Sequence, residues 1–481
     1  MKARIFLLIT SCTLCLTLSG CAIYGPHWTT ANYFECYSTA ANCLDKKTVP
    51  HTPTGTPAKF ILGIIEFDQF GNLLLPEKTQ DLLHRIDKIS TTEEIITVVF
   101  VHGWKNSAAN VPGGDLQEFL QTLQNLAFYE ENLNPTRPRK VIGVYLGWRG
   151  ASLTIPVFEN LTFWERKNTA QAVGDGAVAE ILIRLNSIRE RNIAQKMLSA
   201  PNDPKTRLII IGHSFGGAIV HTALSQVVTE RLIASEPCKA YSGLGDLTVL
   251  INPAFEAMQF STIHKLAQSR NTNCTTESLK PETQIPENQY PSYVVLTSKD
   301  DKATGFFFPI GRFFSTIFER YSANGEEQRI TDLTAVGHYE NYTTHTLEVV
   351  EEELLKPASL CPGYIKPSKT KVTLADEHYY PTPASQWRNG ANPIIFSNND
   401  TSFTRPILKL YNRLPQARNP VLNISSDNNV ITGHSDIYSC YAIFFLGELI
   451  RMTLENDNAA DIRILEKNLD ILTNKHQYLK D

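Results

Sequence analysis

A serine between two glycines stands where an apolar segment changes from strand character to helical character. Residues 208–211 are all apolar, Ser214 follows between Gly212 and Gly216, and residues 217–233 have the apolar pattern of a helix. A serine on such a sharp turn projects its hydroxyl above a sheet, and the glycines prevent clashes across the turn. The segment lacks the lysine of a phosphate-binding loop and the spacing of a dinucleotide-binding loop. We therefore interpret Ser214 as a nucleophile.

A serine hydroxyl needs a base to become a nucleophile at neutral pH, and a histidine base needs a carboxylate to fix its tautomer. Asp300 and Asp301 follow the strand-like residues 291–298, and Glu256 follows the strand-like residues 246–253. The candidate bases further along the chain are His338, His345 and His434, while His378 and His476 lie in unpatterned and terminal sequence.

Apolar strand-like segments alternate with helical segments between residues 58 and 325. The expected strands are 60–67, 94–103, 140–148, 207–212, 246–253 and 291–298, and the expected helices are 76–89, 115–129, 170–192 and 217–233. Strands that are apolar throughout are typical of a parallel sheet covered on both faces. The sequence therefore predicts an α/β protein with a doubly wound, mostly parallel sheet.

The rest of the chain divides by its patterning. Residues 326–427 lose the periodicity and are expected to form an inserted cap or lid, since long unpatterned segments in enzymes are often lids. Residues 428–481 return to a strand, a turn and an apolar helix, and are expected to complete the core. The aromatic run 306–314 is expected to pack in the core or the lid, although it could touch a lipid substrate.

The chain resembles the α/β-hydrolase superfamily, in its bacterial serine esterase and lipase branch. The resemblance rests on VHGW (101–104), GHSFGG (212–217), TSKDDKATG (297–305) and ITGHSDIY (431–438). It spans about residues 58–325 and 428–455. It implies the α/β-hydrolase fold and hydrolysis of an ester or lipid acyl bond through an acyl-enzyme, without a cofactor.

The resemblance also implies which residues assist Ser214. The order in this superfamily is serine, acid, histidine. Asp301 is preferred as the acid because it fits an S-x-x-D-x-A-T phrase of comparable hydrolases, with Asp300 and Glu256 as alternatives. His434 is preferred as the base because it lies between the last strand and the last helix, with His338 as the alternative.

An oxyanion hole is expected from two backbone amides. In this superfamily one comes from the loop after an early strand and the other from the residue after the serine. These positions are Trp104 and Phe215. His102 is expected to brace the loop rather than to react.

Charge and motifs argue against nucleic-acid binding and a metal site, while two alternative functions stay open. With 45 basic and 49 acidic residues the net charge is −4, which argues against a nucleic-acid-binding protein. No HExxH motif is present, and no metal site is expected. An acyltransferase or thioesterase would use the same three residues, and an inert hydrolase-fold lipoprotein could serve as an interaction scaffold.

The N-terminus has the pattern of an exported lipoprotein. Lys2 and Arg4 precede an apolar stretch from 5 to 18, and Leu-Ser-Gly then leads into Cys21. We expect a signal peptide over residues 1–20, lipid on Cys21 and a tether over residues 21–57. Ala22, by resemblance to lipoprotein sorting, favours the outer membrane of a bacterial cell envelope. The lipid would make the membrane a partner.

Cysteine usage agrees with export. Cys12 and Cys15 would leave with the signal peptide and Cys21 would be acylated, which leaves six cysteines in an oxidising compartment. Six cysteines allow 15 pairings. The best local pair is Cys36 with Cys43.

Overall fold

The residues that the structure, a computed structural model, describes are 25–37, 43–44, 59–133, 138–150, 159–199, 206–236, 238–272, 286, 289–321, 325–349, 383–396, 406–411 and 418–454. The expected signal peptide, Cys21 and the C-terminal residues 455–481 lie outside these ranges.

Eleven strands form one sheet. They are β1 (Tyr33–Tyr37), β2 (Lys59–Glu66), β3 (Ile95–Val101), β4 (Lys140–Gly147), β5 (Arg207–His213), β6 (Leu247–Ile251), β7 (Tyr293–Ser298), β8 (His345–Val349), β9 (Ile394–Ile395), β10 (Pro406–Leu410) and β11 (Val421–Ser426). Their order across the sheet is β1-β2-β4-β3-β5-β6-β7-β11-β8-β10-β9. Strands β2 to β8 in that order run parallel, and β1, β10 and β9 pair antiparallel with their neighbours. The predicted α/β class with a mostly parallel sheet is confirmed.

Helices connect the strands. They are α1 (Pro76–Thr92), α2 (Asp115–Leu133), α3 (Glu159–Val173), α4 (Ala179–Ser199), α5 (Phe215–Ala234), α6 (Ala257–Thr272), α7 (Phe308–Ser315), α8 (Gly325–Leu333), α9 (Pro383–Arg388) and α10 (Cys440–Leu454). A π-helical turn, Gly174–Val178, joins α3 to α4, and another, Ala303–Phe307, precedes α7. None of the helices within the described ranges is long and apolar enough to cross a membrane.

The core lies on both faces of the sheet. The apolar sides of α1, α4, α5 and α6 pack on one face, and those of α2, α9 and α10 pack on the other. The central strands β3 and β5 are buried along their whole length because both of their faces are covered. That burial explains why these strands are apolar throughout.

The start of the described chain differs from the expected tether. Residues Tyr33–Tyr37 form β1, which pairs with β2 at the edge of the sheet. The predicted disulfide between Cys36 and Cys43 is confirmed, with an S–S distance of 2.05 Å. A five-residue strand whose partner begins 22 positions after it ends leaves too little local pattern to be recognised in a polar segment.

Residues 326–427 also differ from the expected insertion. Their described parts supply β8, β9, β10 and β11 to the main sheet. The final parallel strand is Val421–Ser426, earlier than the strand expected after residue 428. Short strands separated by long connections produce no repeating apolar period, so the sequence shows no strand or helix pattern in this region.

Candidate active site

The parallel strands end at the same level, which brings their following loops together. In the register of the sheet, Val101 pairs with Gly212, and Ile251 pairs with both His213 and Leu296. The last pair between β7 and β11 is Ser298 with Ser426. The loops that follow β3, β5, β6, β7 and β11 therefore meet at the carboxyl edge of the sheet, where ligands bind in open α/β sheets.

Ser214 occupies a strained turn between β5 and α5. Its backbone has φ 56° and ψ −120°, a region that residues with a side chain rarely adopt. Its amide donates to the carbonyl of Ile251 over 3.0 Å, which holds the turn against the neighbouring strand. A Cβ atom on Gly216 would lie 2.0 Å from the carbonyl oxygen of Val101. The glycine is therefore required for α5 to begin so close to β3.

His434 links Ser214 to Asp301. Its Nε2 lies 2.8 Å from the Oγ of Ser214, and its Nδ1 lies 2.8 Å from the Oδ2 of Asp301. Because an ionised carboxylate only accepts hydrogen bonds, Nδ1 carries a proton and Nε2 is left to accept the serine hydroxyl. The His434 side chain is 23% exposed, while the Asp301 side chain is 0% exposed. The histidine is thus open to a substrate and its carboxylate is shielded.

Asp301 is held as an anion by its hydrogen bonds. Burial alone raises the pKa of Asp301, but hydrogen bonds from His434 and Thr304 outweigh it and hold the pKa below its ordinary value. The Oδ1 atom accepts the amides of Ala303 and Thr304 over 2.9 and 3.1 Å, and the Thr304 hydroxyl donates to Oδ2. The turn that follows β7 therefore builds a cradle for a charged carboxylate.

The alternative acids lie elsewhere. Asp300 is exposed and its amide donates to the Ser298 hydroxyl over 3.2 Å. Glu256 is buried in ion pairs with Lys167 at 2.6 Å and Arg312 at 2.8 Å. Neither carboxylate is hydrogen-bonded to His434.

The alternative histidines are also accounted for. The Nε2 of His338 lies 3.0 Å from the Thr304 hydroxyl, and because that hydroxyl donates to Asp301, His338 donates to it. His345 is buried in β8, with Nδ1 2.9 Å from the Thr344 hydroxyl. The structure thus brings His434, and neither of these two, into contact with Ser214. His378 and His476 lie outside the described residues.

Two residues that the sequence did not single out hold the His434 loop. The Nε2 of His213 and the Nδ2 of Asn252 both lie 2.9 Å from the carbonyl oxygen of His434. Asn252 also accepts the amide of Ser298 through Oδ1 over 2.9 Å, which ties β6 to β7. These contacts join residues about 180 and 220 positions apart, and no local pattern announces them.

The loop after β3 lies against Ser214. A Cβ atom on Gly103 would be 2.9 Å from the Cβ of Ser214, so only glycine permits this approach. Trp104 follows Gly103 directly. Phe215 is the first residue of α5, and the backbone N–H groups in the first turn of a helix point out of its amino end. The Gly103 amide donates to the carboxylate of Asp115, the first residue of α2 and another residue not anticipated from the sequence.

His102 braces this loop, as expected. Its Nε2 accepts the amide of Trp148 over 3.0 Å, and its Nδ1 lies 2.9 Å from the Gly103 carbonyl. Burial lowers the pKa of His102 to about 4, so the ring is neutral at pH 7. The Trp148 ring stacks on it at 5.7 Å. Trp148 is therefore packing for the loop.

Within the described ranges, no group of three or more His, Cys, Asp or Glu side chains is arranged to hold a metal ion.

Known proteins show little similarity to this chain. No family model and no curated protein matches the chain. A solved structure of phospholipase PlaB from Legionella pneumophila in complex with thio-NAD is similar at 15% identity and a TM-score of 0.22. The match covers 78% of this chain and 63% of that one, so this chain spans less than two thirds of its length. At so low a TM-score the likeness supports no functional argument.

Proposed function

We propose that this chain is a serine hydrolase of the α/β-hydrolase type that cleaves carboxylic ester or lipid acyl bonds. One observation supports the proposal above all others. Asp301, His434 and Ser214 form a continuous hydrogen-bonded series with 2.8 Å at each side of the imidazole. A serine, a histidine and a buried carboxylate in this order are the requirements for activating a hydroxyl.

Each of the three residues has a distinct part in the reaction. The Nε2 of His434 takes the proton of the Ser214 hydroxyl while Oγ bonds to the substrate carbonyl carbon. The imidazolium then gives this proton to the leaving alcohol as the ester bond breaks, which leaves an acyl group on Ser214. Water attacks that acyl group, loses a proton to His434 and releases the acid. Asp301 fixes the tautomer and stabilises the imidazolium.

The charge that develops on the carbonyl oxygen requires donors. We assign these to the backbone amides of Trp104 and Phe215, which flank Ser214 from β3 and from α5. The amino end of α5 adds the favourable end of a helix dipole. Preorganised donors of this kind are worth about 10²–10³ in kcat each.

A fluorophosphonate probe, which bonds to activated serines, tests the assignment. We expect wild type to be labelled and Ser214→Ala to lose the label. His434→Gln and Asp301→Asn should slow ester hydrolysis by about 10²–10⁴-fold, the usual contribution of general acid–base catalysis. The matched controls His338→Gln and Asp300→Asn should stay within about 10-fold, because neither residue touches the serine. A wild type that does not label and hydrolyses no ester would refute the proposal.

We also propose that the protein is a lipoprotein of a bacterial cell envelope, anchored through Cys21 and facing the membrane. The support is the sequence pattern, since this residue lies outside the described ranges. Feeding cells an alkyne analogue of palmitate should label wild type and not Cys21→Ser. Cys12→Ser and Cys15→Ser, whose positions fall in the expected signal peptide, should keep the label. Equal labelling of all four proteins would contradict this anchor.

A further inference from the structure

Five phenylalanines are exposed on the segment that follows Asp301. We call them the aromatic ridge, and they are Phe306, Phe307, Phe313, Phe314 and Phe318. Phe314 is 67% exposed and Phe318 is 96% exposed. Ile310 and Ile317 lie among them and are also exposed. Contiguous exposed apolar side chains on this scale mark an interaction site.

The ridge is held outward by the charge that α7 buries. Arg312 points inward, where its Nε lies 2.8 Å from Glu256 and its Nη2 contacts Asp332. Phe308 is fully buried beneath the helix. Helix α7 turns its arginine inward and exposes Phe313 and Phe314, two of its three phenylalanines, which departs from the usual arrangement at a protein surface. Rotating α7 to hide the ridge would break buried ion pairs, which is costly. The exposed arrangement is therefore fixed.

The chemistry of the ridge fits lipid better than protein. The residues that contribute most of the binding energy in protein interfaces are mainly Trp, Tyr and Arg, which pair an apolar body with a polar group. The ridge has phenylalanine rings and no such polar groups, which suits the acyl boundary of a bilayer. Exposed charges of both signs flank it, with Asp300 and Lys302 before it and Glu319 and Arg320 after it. This balance complements zwitterionic headgroups and gives no preference for anionic ones.

The ridge and the beginning of the described chain both lie at the carboxyl edge of the parallel strands. The amides of His27 and Trp28 donate to the Glu66 carboxylate at the end of β2, over 2.9 and 3.0 Å. The Trp28 indole donates to the carbonyl of Ala108, in the loop after β3, over 2.6 Å. Cys21 precedes residue 25 by four positions, a reach of at most about 14 Å. A lipid on Cys21 would therefore enter the membrane from the edge that carries Ser214.

We infer that the aromatic ridge is a membrane-docking surface that inserts into a zwitterionic phospholipid bilayer and turns the Ser214 edge of the sheet towards it. The step from docking to catalysis rests on the proposed hydrolase function, whereas docking itself does not. The ridge is fixed by the Arg312 ion pairs, so no opening of a lid precedes docking. Ser214 then reaches a substrate in the bilayer directly, because the docked face of the protein carries Ser214.

Hydrogen exchange of the full-length protein tests docking separately from catalysis. We expect residues 306–318 to exchange at least about 10-fold more slowly with phosphatidylcholine vesicles than without, because insertion removes them from water. Phe314→Ser/Phe318→Ser should lose this protection. Ile233→Ser is the matched control, since Ile233 is also 67% exposed but lies near the far end of α5, about 30 Å along that helix.

Hydrolysis of two substrates gives the second measurement. The Phe314→Ser/Phe318→Ser variant should hydrolyse an ester presented in phosphatidylcholine vesicles at least about 10-fold more slowly than wild type, and a dissolved short-chain ester at the wild-type rate. Absence of vesicle-dependent protection in wild type would overturn docking. So would protection that appears without vesicles and grows with protein concentration, since it would indicate self-association. Protection without hydrolysis of either ester would instead refute the hydrolase function and leave docking standing.

Discussion

The imidazole of His213 holds the backbone of His434: its Nε2 lies 2.9 Å from the His434 carbonyl oxygen. Burial lowers the pKa of His213 to about 3, so the ring is neutral at pH 7 and donates this hydrogen bond from Nε2. The residue directly before the proposed nucleophile thus positions the proposed base. The ring centroids of the two histidines are 5.2 Å apart, so the two rings are also close neighbours.

Removing that donor should slow catalysis without weakening substrate binding. We expect His213→Phe to lower kcat by about 10–10²-fold with KM nearly unchanged, because a displacement of about 1 Å in a reacting group costs on this order. His213→Gln, whose amide can donate to the same carbonyl, should recover most of the loss. Steady-state kinetics on a dissolved ester measure both constants. Equal losses in the two variants would mean that ring packing, rather than the hydrogen bond, matters.

The amide assigned to the oxyanion hole can be removed without relying on a side chain. Trp104→Pro deletes the N–H group, and we expect kcat to fall by about 10²–10³-fold. Trp104→Phe keeps the amide and should retain most activity. Fluorophosphonate labelling of both variants checks that Ser214 is still presented. If Trp104→Phe falls as far as Trp104→Pro, the indole ring and not the amide is responsible.

The sequence predicted what local patterns encode. The central strands and the turn at Ser214 follow from apolar runs and from glycines that only a sharp turn requires. Asp301 and His434 are preferred among several candidates only through the family resemblance. The structure places their side chains in hydrogen-bonding contact with each other. Partners such as Asn252 depend on contacts across about 180 positions, which no local period records.

The outward-facing aromatics show a second limit of local patterns. A run of phenylalanines such as residues 306–314 predicts burial, because apolar side chains usually leave water. The structure exposes most of them because Arg312 occupies the inward side of α7. Which side faces inward depends on Glu256 and Asp332, which lie on other elements. The orientation therefore follows from tertiary charge pairing rather than from hydropathy.

At the opposite edge of the sheet, Asp246 should be essential for stability. It accepts hydrogen bonds from Arg189 at 2.7 and 2.6 Å and from Arg207 at 3.1 Å, and all three side chains are buried. Asp246→Asn leaves two buried cations facing a neutral group, and we expect a loss of about 3–5 kcal/mol in the free energy of unfolding. Asp87→Asn, which breaks an exposed pair with Arg191, should cost about 0–1 kcal/mol. Urea denaturation at pH 7 measures both, and similar losses would contradict the expectation.

The pH dependence of Asp246 follows from its pKa. Burial raises the pKa of Asp246, but Arg189 and Arg207 outweigh burial and hold the pKa below its ordinary value. Its ionised form therefore contributes stability at pH values above the ordinary carboxyl range, and this contribution is lost as the pH falls through the lowered value. The stability difference between wild type and Asp246→Asn should shrink as the pH approaches 3. A difference that stays constant down to pH 3 would show that packing, not charge, is lost.

Asp115 should shift stability in the opposite direction. Burial raises its pKa from 3.8 to about 6, although the amide of Gly103 opposes this by hydrogen bonding to the carboxylate. The folded protein therefore binds a proton more tightly than the unfolded chain, and stability falls as the pH rises from about 4 through about 6. Asp115→Asn does not ionise and can still accept from Gly103. We expect its unfolding free energy, relative to wild type, to be higher at pH 8 than at pH 4 in urea denaturation. The same relative stability at both pH values would mean that the carboxylate of Asp115 is ionised without cost beside the loop that carries Trp104.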